Sequence, residues 1–230
     1  MGKQLLTPAL NVYEQMALDE TLAHGALTEP VLRFYHWTQG PSVTFGYGQF
    51  YKSVINQCPV NSGPVCRRPT GGGIVFHGED LTFSLIFKNI SARPQEIYAL
   101  LHGAIENALL QNGPMDILRQ GQVSAQAYAP AQNGIASGCF VNPVENDLLS
   151  GGKKILGGAI RRFEEAVLYQ GSLQCPQARS NVLFRRAVAQ GAARFLQDTF
   201  LVCPTEEAYL AQAKRLAQEQ YATCEWNEKF

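Results

Sequence analysis

The amino-acid sequence predicts an α+β fold, because its helix patterns and strand patterns occur in separate groups. A helix pattern comes first, followed by several strand patterns, a second helix, a second group of strands and a helical C-terminal third. Such grouping is typical of α+β proteins, whereas regular alternation of helices and strands indicates a parallel sheet. The composition does not shift enough along the 230 residues to mark a domain boundary.

The first half of the chain begins with a predicted helix over residues 11–25. Asn11 can cap this helix, because Glu14 follows three residues later as in a capping box. Pro94 indicates a second helix over residues 93–111, since proline at a first helical position loses no intrahelical hydrogen bond. Between them, short apolar or alternating runs predict strands at 31–37, 42–45, 65–68, 74–76 and 81–87.

The second half begins with residues 119–138, which are rich in Gly, Gln, Ala and Ser and lack periodicity, so we predict a loop there. Strands are predicted at about 145–149, 153–161 and 166–174. The predicted C-terminal helices cover about 179–190, 191–198 and 205–221. Thr205 is the expected cap of the last helix.

Composition excludes several classes of protein. Apolar residues make up 46% of the chain, which is ordinary for a globular core. The 19 basic and 19 acidic side chains cancel, which argues against a general nucleic-acid binder. No apolar run approaches the roughly 18 residues that span a bilayer, and no signal peptide is recognisable. We therefore expect a cytoplasmic protein that binds neither nucleic acid nor membrane, and whose six cysteines are free thiols.

The common catalytic and cofactor motifs are missing from the sequence. Asp147 and Lys154 stand where a phosphate-binding loop needs Gly and Ser or Thr, and Tyr51 stands where a dinucleotide fingerprint needs Gly. The four histidines are far apart and no Cys-x-x-Cys occurs, so we predict no metal site. The chain also lacks the Gly-x-Ser-x-Gly motif of serine hydrolases.

One unusual segment, residues 67–77, contains three consecutive glycines. Gly71, Gly72 and Gly73 allow another backbone or a ligand to approach closely. Arg68 and its neighbour Arg67 could hold a carboxylate or a phosphate beside them. A tight hairpin with solvated arginines explains the same residues equally well.

Two further segments carry reactive side chains beside small residues. Lys154 precedes Gly157, Gly158 and Ala159, and a desolvated ammonium there could polarise a carbonyl or lower a thiol pKa. A surface lysine on a hairpin is the simpler interpretation. Cys139 follows Gly138 at the end of the predicted loop and is a candidate nucleophile, although most cysteines are small core residues.

Taken together and in order, these segments resemble the family of lipoate-protein ligases, octanoyltransferases and biotin-protein ligases. Residues 67–77 match its Arg-Arg-x-x-Gly-Gly-Gly-x-Val-x-His signature, and residues 80–84 match the following strand. Residues 154–159 match its Lys-Ile-x-Gly-Ser-Ala signature, with Gly158 for Ser. Residues 170–173 resemble its His-Gly-Ser/Thr-Leu strand, with Gln170 for His. The resemblance covers about residues 11–227 and implies a central mixed β-sheet flanked by helices, with a tunnel for an acyl or lipoyl chain.

Within this family, the C-terminal residues and the segment around Cys139 resemble the single-domain, cysteine-dependent octanoyltransferases. This implies one catalytic domain over residues 1–230, without a C-terminal accessory domain, which we expect to be a monomer. It also implies that Cys139 takes the octanoyl group from acyl-carrier protein and passes it to a lysine of a lipoyl-domain protein, such as the glycine-cleavage H protein. No cofactor is then needed.

The resemblance also implies roles for the residues of the signatures. Lys154 would activate Cys139 and stabilise the oxyanion, and Arg68 would orient a carboxylate or a phosphopantetheine. His77 would act as a base or as a structural hydrogen-bonding residue. The other expected substrate-binding residues are Gly71, Gly72, Gly73, Asp147, Gly157, Gly158 and Ala159. Arg161, Arg162, Arg185 and Arg186 could form a basic face for acidic carrier domains, with solvated arginines as the default.

Three other activities remain open from the sequence. In an ATP-dependent lipoate ligase, Lys154 would contact the carboxylate and the α-phosphate, and Asp147 would assist magnesium or nucleotide binding. An amidotransferase would move the acyl group between two lipoyl domains through the same cysteine. A non-catalytic lipoyl-domain binder would not need Lys154. Biotin ligation is disfavoured, since the Gly-Arg-Gly-Arg-x-Gly loop of that branch is absent.

Overall fold

The computed structural model describes residues 1–25, 28–38, 40–114, 124–125 and 145–230. Its strands are β1 Gly2–Leu6, β2 Val31–Phe34, β3 Ser42–Phe45, β4 Val65–Arg67, β5 Val75–His77, β6 Leu81–Lys88, β7 Ser124–Ala125, β8 Leu148–Ser150, β9 Lys153–Arg162, β10 Ala166–Leu173 and β11 Phe200–Pro204. Its helices are α1 Val12–His24, α2 Tyr51–Ile55, α3 Pro94–Asn112, α4 Val182–Leu196, α5 Glu207–Leu216 and α6 Cys224–Asn227, with a π-helical turn Ala217–Tyr221 between the last two.

Eight strands form a central mixed sheet in the order β11-β1-β2-β6-β10-β9-β8-β7. Strand β1 is parallel to both of its neighbours, β11 and β2. All the other neighbouring pairs of this sheet, from β2–β6 to β8–β7, are antiparallel. A second, three-stranded sheet in the order β4-β3-β5 carries the glycine segment. The predicted α+β fold with a central mixed sheet is therefore confirmed, and the smaller sheet is an addition to it.

Helices cover both faces of the central sheet because its strands are apolar on both sides. On one face, α3 and α4 pack against residues such as Phe83 and Val167. On the other, α1 and α5 pack against residues such as Ile86 and Leu168. Neighbouring residues of one strand thus enter different cores, as the alternation of side chains along a strand requires.

The predicted ends of the first two long helices are close to those observed. Asn11 caps α1 with its side chain, and Glu14 completes the capping box. Pro94 begins α3 as predicted. None of the helices in the described ranges has both the length and the apolar character needed to span a bilayer.

Several predicted elements in the C-terminal third were wrong. One helix, α4, replaces the two helices predicted over 179–198. Thr205 does not cap the last long helix: α5 begins at Glu207, and Thr205 Oγ1 lies 3.1 Å from Thr7 Oγ1.

The sequence did not predict strands β1 and β11, because each pairs with a partner almost two hundred residues away. The predicted loop over 119–138 lies mostly outside the described residues, although Ser124–Ala125 forms the short strand β7.

Candidate active site

A narrow cleft lies between a polar patch on the central sheet and the smaller sheet. Strand β9 contributes Gly157, Gly158 and Ala159, so backbone forms much of one wall. The volume of the cleft is about 30 Å³, so the tunnel expected for an acyl or lipoyl chain stays a prediction. The other residues that line the cleft are Thr44, Arg68, Val75, His77, Thr82, Gln170, Gly171 and Ser172.

The polar floor of the cleft follows from strand alternation. Gln170 and Ser172 of β10 face the cleft, whereas Tyr169, next to Gln170, packs into the core on the α3 side. Thr82 of β6 faces the cleft in the same way, next to Phe83 in the core. The pattern of alternating polar residues in these two strands is the sequence signal for this wall. We did not predict Thr82, Gln170 or Ser172 as site residues.

Arg68 holds the glycine segment in shape. Its Nη2 donates to the carbonyls of Gly71 (2.7 Å) and Gly73 (2.9 Å), and its Nη1 donates to Thr44 Oγ1 at 3.0 Å. Between these carbonyls, Gly72 has a φ of +89°, which glycine adopts without strain. The expected contact of Arg68 with a substrate carboxylate or phosphopantetheine stays a prediction, and its main observed contacts are with the loop.

His77 belongs to a hydrogen-bonded chain across the cleft. Arg68 donates to Thr44, which leaves the Thr44 hydroxyl free to donate to His77 Nε2 at 2.8 Å. Because a carboxylate only accepts, His77 Nδ1 donates to Asp80 Oδ2 at 2.9 Å. Trp37 stacks on the ring with centroids 4.9 Å apart. Both ring nitrogens are therefore bonded, which favours the structural role of His77 over the role of a base.

Asp80 is the anchor of that chain. Burial alone raises the pKa of its carboxyl group, but the His77 ring and hydrogen bonds from Ser172 and Thr82 outweigh burial and lower the pKa to about 2. Arg179 Nη2 adds an ion pair at 3.3 Å. The carboxylate therefore stays ionised and keeps the His77 ring oriented toward the cleft.

Lys154 lies at the end of the glycine-lined wall in a buried ion pair. Its Nζ is 2.8 Å from Asp147 Oδ2, and both side chains are almost fully buried. Leu148 of β8 pairs with Leu156 of β9, but the next residue, Leu149, pairs with Lys154. Ile155 of β9 is therefore an extra residue without a partner in β8, a β-bulge. Such a bulge reverses the alternation of side chains.

The consequence is that Lys154 and Gly157, three residues apart, share one side of the strand. A Cβ placed on Gly157 would lie 2.2 Å from Lys154 Cε and 3.4 Å from Asp147 Oδ1. Gly157 therefore provides the space through which the lysine reaches Asp147. The two expected residues Lys154 and Asp147 are thus joined to the cleft through a glycine that lines it.

Gly158 performs a different task on the opposite side of β9. A Cβ at this position would lie 2.4 Å from three atoms of the Tyr169 phenol group. The Tyr169 hydroxyl is 2.8 Å from Nε2 of His102, whose Nδ1 donates to the Asn146 carbonyl at 2.6 Å. Burial lowers the pKa of His102 to about 4, so the ring is neutral near pH 7. This chain ties β10 and α3 to the turn before Asp147.

Five of the nine expected substrate-binding residues line this cleft: Arg68, His77, Gly157, Gly158 and Ala159. Gly71 and Gly72 do not line it and are exposed, whereas Gly73 is half-buried and Asp147 is buried beside Lys154. Cys139 lies outside the described residues, so the nucleophile stays a prediction. Within the described ranges, no group of three His, Cys, Asp or Glu side chains could hold a metal ion.

The four arginines that could form a basic face, with solvated arginines as the default, do not all share one surface. Arg161 lies over the ring of Phe163 on the α1 side of the central sheet. Arg185 lies over Phe34, which belongs to the core on the α4 side. The sheet itself therefore separates these two side chains.

Comparison with known proteins decides the family. A model of the lipoyl protein ligase A/B catalytic domain matches residues 11–193. The chain belongs to this family. It is 30% identical over 167 residues to octanoyltransferase LipM of Symbiobacterium thermophilum, an alignment that covers 70% of this chain and 60% of the relative. The matched region is thus less than two thirds of the relative's length.

Solved structures of lipoate ligases share the fold. Protein Ta0514 of T. acidophilum, solved with bound lipoic acid, superposes with a TM-score of 0.78 at 23% identity and covers all of both chains. Lipoate-protein ligase A bound with ATP superposes with a TM-score of 0.75 at 24% identity, covering 99% of this chain and 98% of the other. These likenesses establish the architecture of the central sheet and its helices.

Proposed function

We propose that the chain is an acyltransferase of protein lipoylation that moves an octanoyl or lipoyl group from acyl-carrier protein to a lipoyl-domain protein. The observation that carries this choice is the match to a relative named octanoyltransferase LipM. The glycine-walled cleft with the Lys154–Asp147 pair at its end is compatible with it.

The first half-reaction forms an acyl-enzyme. The Cys139 thiolate attacks the carbonyl carbon of the acyl thioester, a new C–S bond forms, and the bond to the carrier's sulfur breaks. The departing thiolate of the carrier then takes up a proton. Thioester exchange changes little in bond energy, so neither nucleotide nor metal is required. The Lys154 ammonium, held by Asp147, is suited to stabilise the negative charge that develops on the carbonyl oxygen.

The second half-reaction forms an amide on the acceptor. The neutral amine of a lysine on a lipoyl domain, such as that of the glycine-cleavage H protein, attacks the Cys139 thioester. A C–N bond forms, the C–S bond to Cys139 breaks, and the amine proton returns to the cysteine. In this scheme the glycines of the cleft wall let the acyl chain lie close to the backbone.

The test uses octanoyl-acyl-carrier protein, no ATP and intact mass measurement. We expect an octanoyl adduct on the wild-type chain that disappears in Cys139→Ala. Cys224→Ser is a matched control, because Cys224 is exposed and Glu228 raises the pKa of its thiol, which makes it a poor nucleophile. An adduct that survives Cys139→Ala contradicts the proposal.

An ATP-dependent ligase is the second candidate, because the buried Lys154–Asp147 pair could equally serve an acyl phosphate and its magnesium ion. That activity predicts lipoate-dependent release of pyrophosphate and no adduct from the carrier thioester. An amidotransferase predicts the Cys139 adduct from an octanoylated lipoyl domain in place of the carrier. Supplying the two donors in turn separates the transferases.

A further inference from the structure

Gln170 connects the two layers of the protein beside the cleft. Its Oε1 accepts a hydrogen bond from Thr70 Oγ1 at 2.7 Å, and its Nε2 donates to Asp19 Oδ2 at 2.8 Å. Thr70 immediately precedes the glycine segment, and Asp19 lies in the middle of α1. The residue is 6% exposed and belongs to the floor of the cleft.

The direction of these bonds is fixed by Asp19. This buried carboxylate accepts from Arg33 Nε at 3.1 Å and from Ser84 Oγ at 2.7 Å. A carboxylate only accepts, so Gln170 must present its Nε2 to Asp19. Its Oε1 then faces Thr70, whose hydroxyl must donate. The chain therefore runs one way, from Thr70 through Gln170 to Asp19.

Thr70 passes this constraint to the glycine segment. Its side chain is fully buried, and its carbonyl accepts from the Tyr47 amide at 2.8 Å. The next two residues, Gly71 and Gly72, are exposed. Thr70 is thus a buried anchor immediately before glycines whose backbone is intrinsically free and whose carbonyls, at Gly71 and Gly73, accept from Arg68.

We propose that Gln170 is a positioning residue for acyl transfer, which holds the glycine segment at a set distance from the β10 wall through Thr70. This proposal rests on the function proposed above. An amide carries one donor group and one acceptor at every pH, whereas the histidine of the family's related strand becomes a double donor when protonated. Gln170 therefore keeps the connection independent of pH.

The first test compares variants at both ends of the chain. Thr70→Val removes the donor, whereas Thr70→Ser keeps it. We expect kcat/KM for acyl transfer to fall about tenfold in Thr70→Val and in Gln170→Met, as loss of a buried hydrogen bond predicts, and Thr70→Ser to stay near wild type. If Gln170→Met does not fold, the two Thr70 variants carry the test.

A second test uses Gln170→Glu and the pH dependence of kcat/KM. Only a protonated glutamic acid can donate to Asp19 while it accepts from Thr70. Burial and the nearby Asp19 charge raise the pKa of the new carboxyl group, whereas Arg33 beside Asp19 and Arg68 across the cleft oppose that rise. His77 and Tyr35 are the other titratable groups nearby. We expect the activity of Gln170→Glu, relative to wild type at each pH, to fall as pH rises.

Hydrogen exchange separates this proposal from the function on which it rests. We expect faster exchange of the amides of residues 70–74 in Thr70→Val and Gln170→Met, and wild-type exchange in Thr70→Ser. If the wild-type chain transfers no acyl group but this exchange pattern holds, the proposed function fails and the positioning role stands. If Gln170→Met loses activity while Thr70→Val keeps both activity and exchange rates, Gln170 acts on substrate directly and the positioning role is overturned.

Discussion

The Lys154 side chain occupies the space that a side chain on Gly157 would need. A Cβ at position 157 would lie 2.2 Å from Lys154 Cε and 2.5 Å from its Nζ. The β-bulge at Ile155 creates this relationship, because it places both residues on one side of β9. A glycine at position 157 therefore determines where the Lys154 ammonium can lie.

We predict that Gly157→Ala abolishes most acyl transfer and also destabilises the fold. The new methyl group meets the flexible end of a lysine, which can move aside without displacing backbone. That movement takes the ammonium away from Asp147 and from the cleft, and separating this buried ion pair leaves an uncompensated charge. Loss of one oxyanion donor typically lowers kcat by about 100-fold or more, so we expect a decrease of that order in the rate of Cys139 acylation.

The matched control is Gly103→Ala in α3. Within the described ranges a Cβ there would meet no atom within 4 Å, and alanine in a helix is about 1 kcal/mol more favourable than glycine. This variant should keep full activity and unfold at slightly higher urea. If Gly157→Ala keeps wild-type activity, the position of Lys154 is not important for the reaction.

A second prediction concerns Gly158, where the family signature has serine. We expect Gly158→Ser to destabilise the fold by about 1–3 kcal/mol, as overpacking does, because its Cβ would meet the rigid ring of Tyr169 at 2.4 Å. Tyr169→Leu removes that ring. In urea unfolding, the double variant should therefore be less destabilised than the sum of the two single variants. Strict additivity would show that the two positions do not compete for space.

The third prediction is a loss of stability at mildly acidic pH that depends on His102. Burial lowers the pKa of its ring from 6.5 to about 4. Between these values the unfolded chain binds a proton that the folded chain does not, so the free energy of unfolding falls as pH decreases through this range. A shift of this size corresponds to about 3 kcal/mol. The difference in stability between wild type and His102→Gln should change over this range and level off above it.

Asp80 also makes the free energy of unfolding fall with decreasing pH, but over a lower pH range than His102. Its carboxyl pKa is lowered from 3.8 to about 2, so its contribution is complete above the unfolded value and is lost as pH falls toward 2. The difference between wild type and Asp80→Asn should therefore stay constant above about pH 4 and shrink below it. If both differences change over the same range, the two groups do not titrate independently.

The sequence predicts local features of this molecule well and distant contacts poorly. The capping box at Asn11 and the helix start at Pro94 depend on neighbours in the chain, and both are confirmed. The α+β arrangement and the family also follow from local motifs in order. By contrast, the pairing of β1 with β11 joins opposite ends of the chain, and neither strand has a sequence pattern that identifies its partner.

In the candidate site, too, the sequence predicts the residues of local motifs but not those that depend on distant contacts. The glycines and Lys154 belong to compact motifs, so the sequence indicates them. Gln170 stands out only as a departure from a family pattern, and its partners Thr70 and Asp19 are 100 and 151 residues away. The β-bulge that turns Lys154 toward Gly157 depends on the register between β8 and β9, which the sequence of β9 does not specify.

The fifth prediction concerns Arg67, which the sequence allowed as a ligand anchor or a solvated side chain. The structure buries it completely and uses it to hold the C-terminal segment. Its guanidinium donates to the carbonyls of Trp226 (2.9 Å), Asn227 (2.7 Å) and Gln49 (2.8 Å). Among the described residues it has no carboxylate partner, so carbonyl groups and aromatic rings accommodate its charge.

We therefore expect Arg67→Lys to destabilise the protein although it keeps the charge. An ammonium cannot reproduce the planar fork that reaches carbonyls on two separate segments. Since hydrogen bonds that involve a charged group contribute about 1.5–3 kcal/mol each, we expect the free energy of unfolding to fall by about 3 kcal/mol in urea. Amide exchange of residues 224–230 should accelerate. Arg186→Lys, at an exposed position of α4, is the control and should unfold like wild type; equal midpoints for the two variants would contradict this account of Arg67.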